Sequence, residues 1–471
     1  MSTADLHVIV DPNFPQYLYA AEPLAAAYTT RTGGKKGASL LLGEWMKIIE
    51  PDAQLPATGR IHVAYRGGQG YVNPQSASRR RCLEVFFIDV DQGDSILIQT
   101  PDDRRVLIDG GESADALEFI RNKYRLDKKD HYVDFEAVVA THSDADHTQG
   151  LLRILKHPRI AVKRVYHNGL FRRTDAAKDP GRREDGRVFG LVHAPSANAV
   201  PKMKTLMKSF VEAVATARAN LPGILDKMRQ LPRWKGRVEP PPGGFQFRRL
   251  DAADKYLPPY DRQNEHLAIE VLGPRASGKG AKASYPWYGD AGKTVNGNSI
   301  VLRLVHGDQT ILLTGDLNEP SMDDLLADLK KHAKNAHSRV YKAAHHGSQH
   351  FSVDFLRAVK PDAAVISSGD NRNDAHGHPR AVLLGTITRY SQSRTPAVFS
   401  TELAACFRKL SKKEQAAFKK GTAQLHERSI QGIVHLRSDG ERLVLGTVHG
   451  RRAEGDQLAN TRWKWDIWPD H

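Results

Sequence analysis

The chain has 471 residues, more than a single compact core usually holds, so we expect at least two structural units. Its 40% hydrophobic and 26% charged residues are typical of a globular protein, and the lack of a long apolar run excludes a transmembrane helix. A net charge of +15 favours a polyanionic partner, the alternative being a basic surface that is merely solvated.

The cysteine content and the first residues indicate a reducing compartment. Cys82 and Cys406 are too few for a disulfide framework, so both are expected to be reduced. Residues 1–7 have neither the basic nor the apolar segment of a secretory signal. We therefore expect a cytoplasmic protein with no membrane attachment.

Residues 1–76 are predicted to form a small β-rich unit. The stretches 43–49 and 60–66 contain β-branched and aromatic residues, and a Gly-Gly turn precedes Gly70-Tyr71-Val72. This arrangement resembles the bacterial Src-homology-type barrel that is often fused to hydrolases, which implies a possible surface for a protein partner. The alternative is an irregular N-terminal extension.

A basic linker at residues 77–81 leads into a second unit that starts at residue 82. Its pattern is three strands, a helix, a strand, a polar loop and a helix. The second strand follows a turn that contains Asp94, and the third ends at Asp109, before two glycines that allow close backbone approach.

The polar loop at residues 141–149 contains two histidines and two carboxylates within six positions. Residues two apart in an extended segment point the same way, so His142 and Asp144 can face one point. Asp146 and His147 follow where the chain turns into the helix. This is a dense set of metal ligands on a strand-to-helix loop, although a polar turn with a capping aspartate is the simpler alternative.

An insertion is predicted at about residues 170–265. It contains a basic helical segment at 201–231, which Pro222 is expected to break into two helices. The segment is either a basic wall of a substrate groove or an amphipathic cover on the core.

The remaining strands place further polar residues at strand ends, where ligands collect in layered α/β sheets. One strand ends at Asp316, the next leads to His345 and His346, and a loop contains His378. A hairpin at residues 430–446, with an Asp-Gly turn, is expected to extend this unit, which we assign to residues 82–471.

Seven short motifs in this order resemble the metallo-β-lactamase fold of hydrolases, and within it the nuclease-like domain of the DNA-uptake protein ComEC and its stand-alone relatives. The resemblance implies an α/β protein with an αββα sandwich after the N-terminal barrel. The motifs are residues 91–95, 107–111, 141–149, 298–302, 313–317, 344–348 and 377–379.

The resemblance also implies two divalent metal ions, with Zn²⁺ or Mn²⁺ expected. His142 and Asp144 would hold one ion, and Asp316 would bridge to the second. The second ion would be held by Asp146, His147 and one histidine of the His345-His346 pair. A bridging water, ionised near neutral pH, would be the nucleophile.

The resemblance leaves the His345-His346 pair unresolved. One of the two would ligate, and the other would touch phosphate or donate a proton. We assign catalytic roles to Asp146, His346 and His378.

Two departures from the commonest pattern matter. Asp144 replaces a histidine, as in ComEC-type domains, and makes the first site harder, which favours Mn²⁺ or Mg²⁺. The usual histidine before Asp316 is not obvious, so His378 and His167 are candidates to complete the site. Asp94, Asp109 and Asn298 are expected to support the ligands. Asp94 could instead have only a structural role in its turn.

Three functions remain open. The first is a metal-dependent phosphodiesterase, most simply a nuclease acting on DNA or RNA. The second is hydrolysis of a small phosphodiester, such as a cyclic nucleotide or phosphorylcholine ester, or of a lactone. The third is a nucleic-acid- or partner-binding protein with a degenerate site.

Overall fold

The computed structural model describes residues 16–49, 59–195, 202–234, 236–264, 267–369, 377–405, 412–413, 416 and 427–449. The sequence also predicts a docked strand at the tryptophan-rich stretch 463–468, which lies outside these residues. Cys406 also lies outside them, whereas Cys82 is buried with a free thiol.

The N-terminal unit is a seven-stranded sheet with the strand order β3-β2-β6-β5-β4-β1-β7. Its neighbouring strands are antiparallel, and alternate residues such as Ile61 and Val63 are buried on its inner face. The strands are β1 (Tyr17–Ala20), β2 (Leu24–Tyr28), β3 (Lys36–Leu41), β4 (Trp45–Ile48), β5 (Ile61–Tyr65), β6 (Gly68–Val72) and β7 (Ala77–Ser78).

The first sheet of the second unit has nine strands. Eight follow the order β17-β14-β12-β10-β9-β8-β26-β25, and β27 pairs with β26. The strands are β8 (Leu83–Phe87), β9 (Ile96–Gln99), β10 (Arg105–Ile108), β12 (Ala137–Ala140), β14 (Arg164–His167), β17 (Gln246–Arg249), β25 (Glu402–Ala405), β26 (Glu427–Ser438) and β27 (Leu443–His449).

The second sheet has six strands in the order β18-β20-β21-β22-β23-β24. These strands are β18 (Ala268–Gly273), β20 (Val301–His306), β21 (Gln309–Leu313), β22 (Val340–Lys342), β23 (Ala363–Ile366) and β24 (Ala397–Ser400). Two small sheets accompany them: β11 (Val133–Phe135) with β13 (Ile160–Val162), and β15 (Arg182–Glu184), β16 (Arg187–Phe189) and β19 (Ser284–Pro286).

Helices cover the outer faces of the two large sheets. Along β8, Val85 and Phe87 enter the core between the sheets, whereas Phe86 joins the core under the helices. The resulting layers are helix, sheet, sheet, helix, the αββα sandwich expected from the sequence. The helices are α1 (Asp115–Lys123), α2 (Ala145–Leu155), α3 (Thr205–Arg229), α4 (Ala291–Gly297), α5 (Glu319–Lys331), α6 (Val353–Val359) and α7 (Ala381–Tyr390).

The insertion differs from the prediction in one respect. Helix α3 runs without a break through Pro222, so the expected division into two helices is wrong. Its buried side includes Phe210 before the proline and Ile224 after it, and this packing outweighs one missing backbone hydrogen bond. None of the described helices has the length and apolar character that crossing a membrane requires.

Candidate metal centre

The ligand loop follows β12 and enters helix α2, and a buried carboxylate holds it in place. Asp109, at the end of β10, accepts hydrogen bonds from the backbone nitrogen of Thr141 at 2.8 Å and from its hydroxyl at 2.6 Å. It also accepts from Nδ1 of His147 at 2.7 Å. Burial raises the pKa of Asp109, although His147 opposes this shift. Asp109 therefore orients the loop, as a supporting residue is expected to do.

Two glycines let neighbouring backbone reach the loop. A Cβ atom on Gly93, whose φ is +118°, would lie 2.1 Å from the carbonyl oxygen of Asp146. A Cβ on Gly110 would lie 2.6 Å from the backbone nitrogen of Leu151 in α2. These approaches explain the glycines that follow the first and third strands of the sandwich.

Four side chains from distant parts of the chain meet at one point. Nε2 of His147 lies 3.3 Å from Oδ1 of Asp316. Nε2 of His346 lies 3.2 Å from Oδ2 of Asp316, and 3.3 Å from both Oδ2 of Asp146 and Nε2 of His147. Asp316 itself follows β21 and is 2% exposed. This first cluster combines imidazole and carboxylate donors, the ligands preferred by Zn²⁺ and related ions.

A second position adjoins the first on the other side of Asp316. Nε2 of His142 lies 3.9 Å from Oδ2 of Asp144 and 3.9 Å from Oδ2 of Asp316. Asp316 thus faces both groups of ligands, as expected for a bridging carboxylate.

The neighbours of His142 define its tautomer. Its Nδ1 lies 3.1 Å from the Thr141 hydroxyl and 3.3 Å from that of Ser299. Those hydroxyls donate to Asp109 and to the carbonyl of Asn296, so each can only accept from His142. The proton is therefore on Nδ1, and the lone pair on Nε2 points into the site.

The histidines of the first cluster are held in the same way. Nδ1 of His147 donates to Asp109, and Nδ1 of His346 donates to the carbonyl of Ser367 at 3.0 Å. All three histidines thus present Nε2, with Nδ1 anchored, which is the usual arrangement of histidine ligands.

The ionisation of the site fits cation binding. Burial lowers the pKa of His142 to about 3, so this ligand is neutral. Burial would raise the pKa of Asp316, but His346 and His147 hold it well below its usual range. The pKa values of His147 and His346 are in turn raised, because the attraction of Asp316 and other carboxylates exceeds the lowering effect of burial. Protons on these histidines thus balance the buried negative charge that a metal would balance.

One buried atom of this site is also suited to a role as a metal ligand. Among the described residues, Nε2 of His142 has no hydrogen-bond partner. Burying an unsatisfied polar atom costs free energy, and a ligand to that atom would remove the cost. The residues therefore fit divalent metal ions, which His142, Asp144, Asp146, His147, Asp316 and His346 would hold.

The geometry distinguishes the two adjacent histidines. Both have left-handed backbone conformations, with φ of +48° for His345 and +54° for His346, so their side chains diverge. The ring of His346 faces the carboxylates, whereas the ring of His345 lies 6.1 Å from it and 5.7 Å from that of His378. Of the two, His346 is therefore the histidine that could hold a metal ion. His345 and His378 form a pair beside the cluster, and the catalytic role of His378 stays a prediction.

A buried ion pair supports His346. Oδ1 of Asp94 lies 3.4 Å from Nδ1 of His346, and the other oxygen of Asp94 accepts from Nζ of Lys342. Burial would raise the pKa of Asp94, but Lys342 and His346 lower it. Asp94 is thus charged and contacts His346, so its role is more than that of a residue in a turn.

Two predicted residues lie elsewhere. The Asn298 amide donates to the carbonyls of Pro286 at 3.1 Å and Thr294 at 2.7 Å, so it stabilises the end of α4 and does not contact a ligand. The contacts of His167 are with the Gly169 backbone and the rings of Phe171 and Phe247. Its burial lowers its pKa to about 3, but the structure does not bring it to the ligands.

Three contacts of the ligands were not anticipated. Ser299, next to Asn298, accepts from the backbone nitrogen of Asp316 at 3.2 Å besides contacting His142. Arg172 donates from Nε to Oδ1 of Asp144 at 3.2 Å. The Asn296 amide, turned to match its neighbours, donates to the other oxygen of Asp144 at 2.9 Å. The Asn-Ser motif could have indicated Ser299 from the sequence. Arg172 lies among many charged residues, and no local pattern distinguishes it from them.

Comparisons with known proteins agree with this architecture. The profile of the metallo-beta-lactamase superfamily matches residues 88–257. Competence protein ComA of Neisseria gonorrhoeae is 42% identical over 85 residues, which cover 18% of this chain and 12% of that protein. ComE operon protein 3 of Bacillus subtilis (strain 168) is 24% identical over 322 residues, which cover 65% of this chain and 31% of that protein. The chain thus spans less than a third of either relative.

A solved structure is also similar. CmlA, a diiron beta-hydroxylase from Streptomyces venezuelae, aligns with a TM-score of 0.33 and 12% identity, covering 67% of this chain and 52% of CmlA. The profile match over residues 88–257 shows that the chain contains a metallo-beta-lactamase superfamily domain, and its sequence is similar to parts of the ComA and ComE operon proteins.

Proposed function

We propose that the protein is a metal-dependent hydrolase that cleaves phosphodiester bonds, with a nucleic acid as its substrate. The observation that carries this proposal is the convergence of three histidines and three carboxylates, with Asp316 facing both groups. Divalent ions bound there would lower the pKa of a water molecule and polarise a phosphoryl oxygen.

The side chains divide into those that fix the ligands and those that face the substrate. Asp109 orients His147, and the Asp94–Lys342 pair supports His346. The side chains of Asp144 and Asp146 are 25% and 24% exposed, so the site opens to solvent on their side. A substrate would approach there.

Arg172 favours a phosphodiester over a neutral ester or lactone. It contacts Asp144 at this opening, and a second contact to Asp179 at 3.3 Å holds its guanidinium in place. Its side chain is 20% exposed, so it remains accessible. A guanidinium can hold two oxygens of a phosphate in a fixed geometry, a property useless for a neutral lactone. The net charge of +15 also suits a polyanion.

We extend the proposal to His345 and His378, whose rings lie 5.7 Å apart beside the cluster. The pKa of His345 is lowered, chiefly by burial. We propose that one of this pair donates a proton to the departing oxygen or contacts the phosphate.

The test compares Arg172→Gln with Arg173→Gln, which removes the same charge one residue away. The Arg173 guanidinium contacts the carbonyls of Pro180 and Gly190 and does not reach a ligand. With Mn²⁺ or Zn²⁺ bound, Arg172→Gln should lower kcat/KM for bis(p-nitrophenyl) phosphate and for oligonucleotides at least about tenfold. Arg173→Gln should change it less than about twofold.

Measurements of metal content and of turnover with several substrates are needed to interpret the result. Failure of the metal-loaded protein to cleave any phosphodiester would reject the proposal. Efficient turnover of a cyclic nucleotide or a lactone, without nucleic-acid cleavage, would redirect it to a small substrate. A protein that binds no metal while keeping its fold would instead support a binding function.

A further inference from the structure

The insertion carries more than half of the net charge of the protein. Residues 170–265 contain 19 basic and 11 acidic side chains, a net charge of +8 out of +15 for the whole chain. Within them, residues 186–211 contain four basic side chains and no acidic one. Three of the four, Lys202, Lys204 and Lys208, lie just before helix α3 or in its first turns. The excess of positive charge is therefore local and not evenly spread.

The start of α3 lies beside the opening of the metal centre. The backbone nitrogen of Lys204 donates to the carbonyl of Arg172 at 2.9 Å, and the Arg172 side chain contacts the predicted ligand Asp144. Further along the first turns, Met207 packs in the same core as Leu151 of α2, the helix that the ligand loop enters. The basic residues of this region thus adjoin the place where a substrate would enter.

Helix α3 then leads away from the metal centre. Its later residues Ile224 and Met228 belong to the same hydrophobic cluster as Trp234. Trp234 lines the cleft at the opposite end of the first sheet, together with Arg105. Positions 208 and 227 are about 28 Å apart along the helix axis. A substrate bound at the metal centre would therefore meet the first turns of α3 and not its last.

Two of these lysines are available to an anion. Lys208 is exposed, and among the described residues its side chain makes no hydrogen bond or ion pair. Nζ of Lys204 lies 3.4 Å from Oδ2 of Asp179, but Arg172 contacts the same oxygen at 3.3 Å, so two cations share it. The side chain of Lys204 is 47% exposed, whereas that of Asp179 is 8% exposed. A phosphate at this surface would thus meet positive charge that is not fully balanced.

The stability of the helix does not explain these lysines. The partial positive charge at the start of a helix favours acidic residues there and disfavours basic ones. The first turn of α3 has no acidic residue, and the side chain of Lys204 makes no capping hydrogen bond. Two lysines one turn apart, such as Lys204 and Lys208, also repel each other. Basic residues at this point therefore cost folding free energy, and a bound anion would offset that cost.

We propose that Arg172, Lys204 and Lys208 form a basic track beside the metal centre, along which they contact successive phosphates of a nucleic-acid strand. Arg172 would contact the phosphodiester that is cleaved, and the two lysines would hold the nucleotides on one side of it. This inference rests on the proposed function and adds to it a preference for strands of several nucleotides. Contacts of lysine and arginine with phosphates give affinity and position without reading the base sequence.

Binding is measured with the full-length protein in EDTA, so that no hydrolysis occurs. Fluorescence anisotropy would give the Kd of a labelled oligothymidylate of about eight nucleotides over a range of salt concentrations. Lys208→Gln should weaken binding and reduce the slope of log Kd against log salt by about 0.7, the value for one phosphate contact on a single strand. The matched control, Lys227→Gln, removes the same exposed charge from the far end of the same helix and should leave the slope unchanged.

A second measurement tests the preference for length with Mn²⁺ or Zn²⁺ bound. Wild-type kcat/KM should be at least about tenfold higher for the octanucleotide than for a thymidine dinucleotide, which is too short to reach Lys208. Lys204→Gln combined with Lys208→Gln should reduce this ratio at least about threefold, through a higher KM for the octanucleotide. Lys227→Gln should preserve the ratio.

The results separate this inference from the proposed function. Equal salt slopes for Lys208→Gln and Lys227→Gln, in a protein that cleaves phosphodiesters, would remove the basic track and leave the function standing. Equal wild-type kcat/KM for the two chain lengths would do the same. Failure of the metal-loaded protein to cleave either substrate would instead reject the proposed function, and the inference with it. Thermal unfolding of the lysine variants checks that each keeps its fold.

Discussion

The two ends of the first sheet of the sandwich carry buried charge in opposite arrangements. At the ligand end, the chain leaves β10 and β12 into Asp109 and His142, and carboxylates and histidines crowd together. At the other end, Arg105 begins β10 and Arg164 begins β14. Each charge there has a partner of opposite sign: Arg105 with Asp134 at 2.9 Å, Arg164 with Glu136 at 2.7 Å, and Lys163 with both carboxylates.

The comparison shows that buried polarity alone does not mark a functional site. The paired end lines a cleft of about 520 Å³, yet its cations and carboxylates balance. At the ligand end Lys342 pairs with Asp94 and Arg172 with Asp144, but among the described residues Asp146 and Asp316 face only histidines. The ligand end therefore favours a bound cation and the paired end does not, and this difference indicates the metal centre.

Asp316→Ala should break the ligand end most severely. It removes the carboxylate between His142, His147 and His346, so we expect hydrolysis to fall at least about 10³-fold with the fold kept. Turnover of bis(p-nitrophenyl) phosphate and metal analysis by mass spectrometry would measure it. Full activity in this variant would contradict the bridging role.

Glu136→Gln should have the opposite effect, lowering stability and leaving activity unchanged. It leaves Lys163 and Arg164 short of a buried partner, so the free energy of unfolding should fall by about 3 kcal/mol in urea titrations. Specific activity at low temperature should be unchanged, because the change is at the far end of the strands. A large loss of kcat with little loss of stability would show that the two ends are coupled.

Metal binding should stabilise the protein through its ligand end and not through its paired end. Adding Mn²⁺ or Zn²⁺ to EDTA-treated protein, at about a hundred times its Kd, should add about 2.7 kcal/mol to the unfolding free energy. Thermal unfolding of Asp316→Ala should show no such rise, and Glu136→Gln should show the full rise from its lower baseline. Equal stabilisation of Asp316→Ala would place the ion elsewhere.

The two adjacent histidines offer a sharper test within the ligand end. His346→Ala should lose metal, whereas His345→Ala should retain it and lose activity about ten- to a hundredfold, because only His346 faces Asp316 and Asp146. Metal content measured beside kcat separates the two. Metal loss in His345→Ala alone would reverse the assignment.

The smallest expected effect is a pH dependence without metal. The pKa values of His147 and His346 are raised well above 6.5, so their protons contribute stability that is complete below 6.5 and declines as pH rises toward the raised values. In EDTA, Tm should therefore fall by a few degrees between about pH 6.5 and 9, and less so in His346→Ala. A flat profile would show that these histidines are neutral.

The sequence alone determined the local parts of the protein. The ligand loop could be predicted because its four ligands lie within six positions between a strand and a helix. Stretches of β-branched and aromatic residues indicated the N-terminal sheet, and the resemblance of seven short motifs implied the sandwich. The hairpin of β26 and β27 agrees with its Asp-Gly turn. Such features depend on neighbours in the chain, which a pattern records.

The tertiary structure decided everything that depends on distant neighbours. Two left-handed residues, which no periodicity marks, turned His346 toward Asp316 and His345 away from it. Ser299, rather than Asn298, contacts the ligands, and Arg172 reaches Asp144 across an insertion whose course the sequence did not define. Lys204 of the basic track reached Arg172 only through the packing of α3. Register and loop geometry are set by packing across the whole chain, so a single sequence indicates which residues are available but not which of them meet.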